Sequence, residues 1–252
     1  MTALNSLPDR KPLFGLCISY SSPGIIERIG PDWDWIWIDG QHSEPHRGDL
    51  PNLVRACDLI RRPVVVRTSG HDYGSIGHIL DSGAAGVIVP CVDTEEQAHA
   101  LVQAAKFPPL GGRSYGSRRI VDLRGRNYSD TANENTLLIA QIESPLAITN
   151  VEAIAAVPGV DALFLGPDDI MLRRGLPMSM PRTPETLGDD MRAVIAAARR
   201  HGKRAVAVAV TPEMIRFAIE LGYDLVTAGS DVGFLSKGSA EARARVSELA
   251  TP

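Results

Sequence analysis

The chain has 252 residues, enough to bury a full hydrophobic core in one large domain. Hydrophobic residues make up 44% and the formal net charge is −4, so no overall positive field would attract nucleic acid or an anionic membrane. The three cysteines have no disulfide-like or metal-ligand spacing, and neither a secretory signal nor a membrane-spanning apolar run is recognisable. We therefore expect a cytoplasmic protein with no nucleic-acid or membrane partner.

Short β-branched apolar runs alternate with helix-like segments along the chain. Such continuous hydrophobicity is expected of parallel strands that are buried on both faces. In chain order the eight runs are 13–19, 35–39, 63–67, 85–90, 137–143, 162–167, 204–210 and 225–229. Helical patterns lie between them, for example 94–106 with Thr94 as its N-cap, and 211–222 with Pro212 in the first turn.

Eight β/α alternations in a chain of this length predict an α/β fold, a (β/α)8 TIM barrel, as a single domain over residues 1–252. A doubly wound open sheet is the alternative. The stretch from Lys106 to Thr136 is predicted to be a long functional loop. No dinucleotide fingerprint or P-loop occurs, so no organic cofactor is expected.

Two carboxylates stand at matching positions. Glu143 ends the fifth run and Asp169 follows the sixth, inside GPDD. Because neighbouring parallel strands end at the same edge, we predict that the two side chains share a hard divalent cation such as Mg²⁺ or Mn²⁺. The alternative is that Glu143 is a structural strand-end carboxylate and Asp169 a helix N-cap.

Other polar residues also follow the strands. Arg67 ends the third run, where its guanidinium could bind a small acid or form a salt bridge at the rim. His42 follows the second run and is either a catalytic group or a hydrogen-bonded structural imidazole. Asp39, Gln141 and Asp168 complete this set. No lysine stands at a strand end, which disfavours a Schiff-base mechanism.

Two further groups have mainly structural interpretations. The tryptophans around the second strand are expected to serve core and interface packing: Trp33, Trp35 and Trp37. A group of arginines could bind an anionic substrate or form a subunit contact: Arg113, Arg118, Arg119, Arg124 and Arg126.

Several motifs resemble one known family. They are DWIWIDGQHS (34–43), PVVVRTSGHD (63–72), ILDSGAAGVIVPCV (79–92), KFPPLGGRSYG (106–116), QIESPLAITNVEAIAAVPGVDALFLGPDDI (141–170) and GYDLVTAGSD (222–231). From about Leu13 to Leu235 the chain resembles the HpcH/HpaI aldolases, metal-dependent class II pyruvate aldolases that include 4-hydroxy-2-oxoheptanedioate aldolase and 2-dehydro-3-deoxyglucarate aldolase. The resemblance implies reversible cleavage of a 4-hydroxy-2-oxo acid to pyruvate and an aldehyde, through an enolate.

The resemblance also implies residue roles. Glu143 and Asp169 are then the ligands of Mg²⁺ or Mn²⁺, with Co²⁺ as an alternative, and His42 is the general base. Arg67 stabilises the enolate and carbonyl oxygens, and Asp81, near the end of the helix before the fourth strand, hydrogen-bonds the histidine. The implied substrate-binding positions are Arg67, Gln141, Gly166, Pro167, Asp168 and Asp169. The implied assembly is a homo-hexamer, a trimer of dimers.

Three positions depart from the family pattern. Gln41 replaces a glutamate beside His42, Ser114 replaces a glycine, and Asp168 replaces a small residue before Asp169. These changes leave the aldehyde partner open. Two other functions remain as alternatives: decarboxylation of oxaloacetate or cleavage of a CoA thioester by the same chemistry, and a catalytically silent barrel that binds an oxo acid.

Overall fold

Eight parallel strands form a closed barrel in a computed structural model that describes residues 12–250. The strands are β1 Leu13–Ile18, β2 Trp35–Asp39, β3 Val64–Arg67, β4 Gly86–Val89, β5 Leu137–Ile142, β6 Ala162–Leu165, β7 Arg204–Val208 and β8 Leu225–Ser230. Strand β1 pairs with both β2 and β8, which closes the barrel. The predicted barrel is confirmed, and the open-sheet alternative is wrong.

Most of the helices pack on the outside of the barrel, whereas the last one is exposed from residue 232 onwards. The helices are α1 Pro23–Ile29, α2 Leu50–Leu59, α3 Tyr73–Ser82, α4 Glu95–Ala105, α5 Arg118–Arg124, α6 Ser129–Asn135, α7 Pro145–Thr149, α8 Val151–Ala156, α9 Pro167–Arg173, α10 Pro184–Arg200, α11 Pro212–Leu221 and α12 Asp231–Ala250. Thr94 caps α4 in a capping box with Gln97, as its position predicts. Helix α11 begins at Pro212 and ends before Gly222, which has a φ of 83°.

The stretch from Lys106 to Thr136 is not one long loop, so that part of the prediction is wrong. It contains α5, α6 and a short 3-10 turn over Arg126–Tyr128. These helices bury a small apolar cluster of their own: Phe107, Ile120, Tyr128 and Ala132. Few buried positions in a polar sequence leave a weak helical pattern, which explains the error.

Side chains inside the barrel come from every second strand position. Trp35, Phe164 and Leu225 belong to the interior cluster, while a larger cluster fills the space between strands and helices. Trp35 fits because Gly15 on the neighbouring strand has no side chain; a Cβ there would overlap the indole ring. Inward-facing residues near the C-terminal ends of the strands lie at the carboxyl end of the barrel. Active sites of TIM-barrel enzymes are found at this end.

None of the helices in the described range is long and apolar enough to cross a membrane.

Candidate active site

A cavity of about 360 Å³ opens at the carboxyl end of the barrel. Eight of the sequence-predicted site residues line it, and Asp39 lies behind one of them, Arg67, outside the lining: His42, Arg67, Gln141, Glu143, Gly166, Pro167, Asp168 and Asp169. Asp81 is not among its lining residues. The volume is at the small end of the usual range for ligand pockets, roughly 300–1,000 Å³.

Glu143 is the most deeply buried charged group of the cavity, with 1% of its surface exposed. Its Oε1 accepts a hydrogen bond of 2.6 Å from the backbone N–H of Cys91, and its Oε2 accepts one from the side-chain amide of Gln141. Within residues 12–250 no ion pair reaches this carboxylate. A buried anion with only neutral donors around it is costly unless a cation joins it.

Asp169 is brought to the same place by the segment that follows β6. Helix α9 has Gly166 as its N-cap residue, and Asp168 and Asp169 lie in its first turn. Asp169 is therefore not the N-cap, contrary to the structural alternative. A Cβ added at Gly166 would lie 2.6 Å from Oε2 of Glu143, so a glycine is required for this close approach.

The donor set fits a hard divalent cation. Two carboxylates line one cavity, and Glu143 keeps unused lone pairs after its two hydrogen bonds. Oε1 of Gln141 is also buried there, and no described residue hydrogen-bonds it. Among residues 12–250 no cluster of three or more His, Cys, Asp or Glu side chains could enclose a metal. Mg²⁺-type ions suit such a site because they keep several waters and need only one or two carboxylates.

Arg67 is held rigidly by Asp39. Its Nε and Nη2 each lie 2.8 Å from a different carboxylate oxygen, and its guanidinium stacks 5.0 Å from the ring centroid of Trp37. Burial alone would raise the pKa of Asp39, but the hydrogen bonds and charge of Arg67 and the N–H of Gln41 lower it below its usual value. The salt bridge considered above is present, and Arg67 also lines the cavity, so binding of a small acid stays a prediction.

His42 lies at the mouth of the cavity and is exposed. No hydrogen bond holds its imidazole ring in the part of the chain that the structure describes, so the interpretation as a hydrogen-bonded structural imidazole has no support there. Asp81 instead accepts a hydrogen bond of 2.6 Å from Arg113. The His42–Asp81 hydrogen bond implied by the resemblance is absent between the described residues of this one chain.

Asp168 has a cationic partner that the sequence did not indicate. Its Oδ2 accepts a hydrogen bond from Arg182, which also lines the cavity. Its Oδ1 is buried and has no hydrogen-bond partner in the part of the chain that the structure describes. Arg182 precedes α10 rather than following a strand, so no strand-end rule could identify it. The guanidinium offsets the charge that Asp168 adds beside Asp169.

Trp37 and Cys17 also line the cavity and were missed as site residues. Trp35 is a core residue, as expected, whereas Trp37 contributes both to the barrel interior and to the cavity wall. Burial, with the charge of Asp39 as a second cause, raises the pKa of Cys17 to about 12. A neutral thiol is a poor nucleophile, so Cys17 is a wall residue.

The five arginines do not line this cavity. Arg113 and Arg119 form ion pairs with Asp81 and Asp58, and Arg118 pairs with Asp122. The anion-binding interpretation of this group therefore has no support in the cavity geometry.

Two of the three departures from the family pattern lie outside the cavity lining. The backbone N–H of Ser114 donates to the hydroxyl of Tyr73 over 2.7 Å, and Ser114 is exposed. The backbone N–H of Gln41 donates to Oδ1 of Asp39 over 3.0 Å. Only Asp168 contributes to the cavity itself.

The protein is a closed eight-strand barrel, and one cavity at its strand ends contains carboxylates, a fixed arginine and a histidine. These features define a TIM-barrel enzyme. The sequence model of the HpcH/HpaI aldolase/citrate lyase family matches residues 14–238. The chain belongs to this family.

Three similar proteins support the assignment. A 4-hydroxy-2-oxovalerate aldolase of Novosphingobium aromaticivorans is 34% identical, over 90% of this chain and 87% of the relative. A hydroxypyruvate/pyruvate aldolase of Cupriavidus necator is 35% identical, over 90% and 85%. A crystal structure of a family member from Burkholderia cenocepacia has a TM-score of 0.84 at 32% identity, covering 93% of this chain and 94% of that one. The protein is thus an aldolase, a carbon–carbon lyase.

Proposed function

We propose that the protein is a divalent-metal-dependent aldolase that reversibly cleaves a 4-hydroxy-2-oxo acid to pyruvate and an aldehyde. The observation that carries the proposal is the buried carboxylate of Glu143, which has no cationic partner among residues 12–250 and lies against the segment that bears Asp169. The printed names of the two relatives, an oxovalerate aldolase and a hydroxypyruvate/pyruvate aldolase, support a 2-oxo acid as the substrate.

Glu143 and Asp169 would hold the ion, which we infer to be Mg²⁺ or Mn²⁺, with Co²⁺ as an alternative. The ion, when bound, supplies Lewis acidity that polarises the 2-oxo group and stabilises negative charge on its oxygen. The protein itself holds the metal-binding carboxylate in place. The side-chain amide of Gln141 and the backbone N–H of Cys91 each donate a hydrogen bond to Glu143 and restrain it before any substrate binds.

Arg67 is proposed to bind the substrate oxygens. Asp39 uses its Nε and Nη2, which leaves Nη1 without a partner in the described chain. A guanidinium fixed in this way stabilises the charge that develops on the enolate oxygen without having to reorganise. Gln141 and the segment Gly166–Asp169, including Pro167 and Asp168, line the same side of the cavity and are proposed to bind the 2-oxo acid.

His42 is proposed to move the proton. In the cleavage direction its imidazole takes the proton of the 4-hydroxyl group, directly or through a water. The electrons of that O–H bond form the aldehyde carbonyl, the C3–C4 bond breaks, and its electron pair becomes the enolate of pyruvate. A proton then adds to C3 and gives the methyl group. Support of His42 by Asp81 remains a prediction, because the single chain pairs Asp81 with Arg113.

From the resemblance we further infer a homo-hexamer, a trimer of dimers, and from the composition a cytoplasmic location. Sedimentation analysis of the purified protein would measure the assembly directly.

Binding of Mn²⁺ tests the ligand assignment without any need for turnover. We expect Glu143→Gln and Asp169→Asn each to weaken Mn²⁺ binding at least tenfold, measured from the electron paramagnetic resonance signal of free Mn²⁺. Asp189→Asn, at a fully exposed carboxylate, is the matched control and should bind as the wild type does. Unchanged binding in Glu143→Gln would refute the assignment.

Turnover tests the proposed reaction itself. The protein should release pyruvate from 4-hydroxy-2-oxopentanoate, and this activity should be lost with a chelator and restored by Mn²⁺.

A further inference from the structure

The cavity has a second wall, which lies across the barrel from the carboxylates. Glu143 and the segment of Asp169 follow β5 and β6, whereas β8 and β1 lie on the far side of the closed strand order. A 2-oxo acid bound at Glu143, as proposed above, leaves this far wall to the second reactant. The residues of the far wall should therefore determine which aldehyde is accepted.

Thr227 stands on this wall with a hydroxyl group that no other described residue hydrogen-bonds. It follows Leu225 by two positions on β8, so both side chains face the barrel interior, and Thr227 lines the cavity. Only 1% of the residue is exposed, and its hydroxyl oxygen has no hydrogen-bond partner among residues 12–250. A buried hydroxyl without a partner is unfavourable and rare, so a ligand that supplies the partner explains it.

The neighbouring strands cannot satisfy this hydroxyl. In register with Thr227 stand Gly15 on β1 and Val208 on β7. Gly15 has no side chain, because the ring of Trp35 occupies the space that a Cβ would need. Val208 is apolar. Neither neighbour can therefore hydrogen-bond the hydroxyl of Thr227, which is left for a group inside the cavity.

The rest of this wall is uncharged. On β8 and β1 its other lining residues are Cys17, Gly229 and Ser230, and Val208 and Val210 extend it along the neighbouring β7. Cys17 keeps its proton, because burial and Asp39 raise the pKa of its thiol to about 12. An anionic aldehyde would find no counter-charge on this wall, and a purely alkyl aldehyde would leave the hydroxyl of Thr227 unpaired.

We propose that Thr227 is a specificity-determining residue that hydrogen-bonds a hydroxyl group of the aldehyde partner, which is therefore a small, uncharged hydroxyaldehyde. The inference rests on the proposed aldolase function. It names the chemical class of the electrophile, which neither the family nor the carboxylate site determines.

Two aldehydes of equal size test the inference. Glycolaldehyde and propanal differ only in a hydroxyl that replaces a methyl group. With pyruvate and Mn²⁺, the wild-type protein should give a kcat/KM at least tenfold higher for glycolaldehyde. Thr227→Val, which exchanges the hydroxyl for a methyl group, should lose about tenfold with glycolaldehyde and change little with propanal. Thr227→Ser keeps the hydroxyl and should retain the preference.

Exchange of the pyruvate methyl protons in D₂O requires no aldehyde and separates the two proposals. Exchange at the wild-type rate in Thr227→Val would show that the fold and the pyruvate half-reaction are intact. Thr227→Ala serves as a second hydroxyl-free variant if Thr227→Val is unstable. With exchange present, an equal loss on both aldehydes, no loss, or no turnover of either aldehyde would overturn the role of Thr227. Absence of exchange in the wild type would instead overturn the proposed function.

Discussion

At the scale of single residues, the pair Asp39–Arg67 shows how a charged side chain is kept ready inside a barrel. Both side chains are nearly buried, with 7% and 10% of their surfaces exposed. Neither charge would be tolerable alone at such a depth. The pair leaves Nη1 without a partner in the described chain, so the salt bridge fixes the guanidinium that we propose binds the substrate oxygens.

Removal of the carboxylate should therefore destabilise the fold. We expect Asp39→Asn to lower the free energy of unfolding by about 3 kcal/mol at pH 7, because Arg67 is left buried without its counter-charge. Urea denaturation measures this difference, with Asp189→Asn as an exposed control. A loss of less than about 0.5 kcal/mol, the level typical of surface substitutions, would contradict the account of the pair.

The same variant has a defined pH dependence. The pKa of Asp39 is lower in the folded protein than its usual value, so the folded state binds its proton more weakly than the unfolded chain does. The stability due to this carboxylate is complete above the unfolded pKa, about 3.9, and is lost as the pH falls through the lower folded pKa. The difference between wild type and Asp39→Asn should be constant from pH 7 to pH 5 and shrink below about pH 4.

At the scale of elements, the connection from β4 to α4 holds the carboxylate of Glu143. Cys91 has a φ of 55°, an unusual value for a residue other than glycine, and its N–H donates to Oε1 of Glu143. The left-handed backbone thus turns the donor towards the site. The sequence alone does not reveal this, because cysteine is not a residue type that indicates positive φ.

The strain at Cys91 predicts an order of stability. Cys91→Gly should be tolerated, whereas Cys91→Val should be less stable than Cys91→Gly by about 1–2 kcal/mol, because a β-branched residue is disfavoured in this conformation. Thermal or urea unfolding of the two variants makes the comparison. Equal stabilities would show that the backbone can relax away from the left-handed region.

At the scale of the whole molecule, the two ends of the barrel have different tasks. The carboxyl end carries the cavity, and the amino end is stabilised by Lys106, which is 1% exposed. Its ammonium group lies 2.7 Å from Asp161 and donates to the carbonyl oxygens of Asn133 and Thr136. Asp161 in turn accepts the N–H of Leu138 at the start of β5.

Because the two ends of the barrel have different tasks, a substitution at the amino end should lower stability without lowering activity. Lys106→Met should lower the free energy of unfolding by about 3 kcal/mol, since Asp161 and two carbonyls lose their partner. The rate of methyl-proton exchange in pyruvate at low temperature should stay near that of the wild type. A loss of exchange without a loss of stability would contradict the separation of the two ends.

The sequence predicted the strands and the site residues at their ends, because these depend on patterns within a single strand. Continuous apolar runs located all eight strands, and their ends located Glu143, Arg67 and Asp169. Features of the site that depend on contacts between segments distant in the sequence were missed. Arg182 meets Asp168 only through the fold, and the unpaired hydroxyl of Thr227 follows from what stands beside it on two other strands.

The central claim, that Glu143 and Asp169 together hold an ion which activates a 2-oxo acid, has one direct test. Pyruvate is incubated with the protein in D₂O, with and without Mg²⁺ or Mn²⁺, and the methyl signal is followed by NMR. We expect metal-dependent loss of the signal in the wild type and no loss in folded Glu143→Gln. Absence of metal-dependent exchange in the wild type, or undiminished exchange in Glu143→Gln, would contradict it.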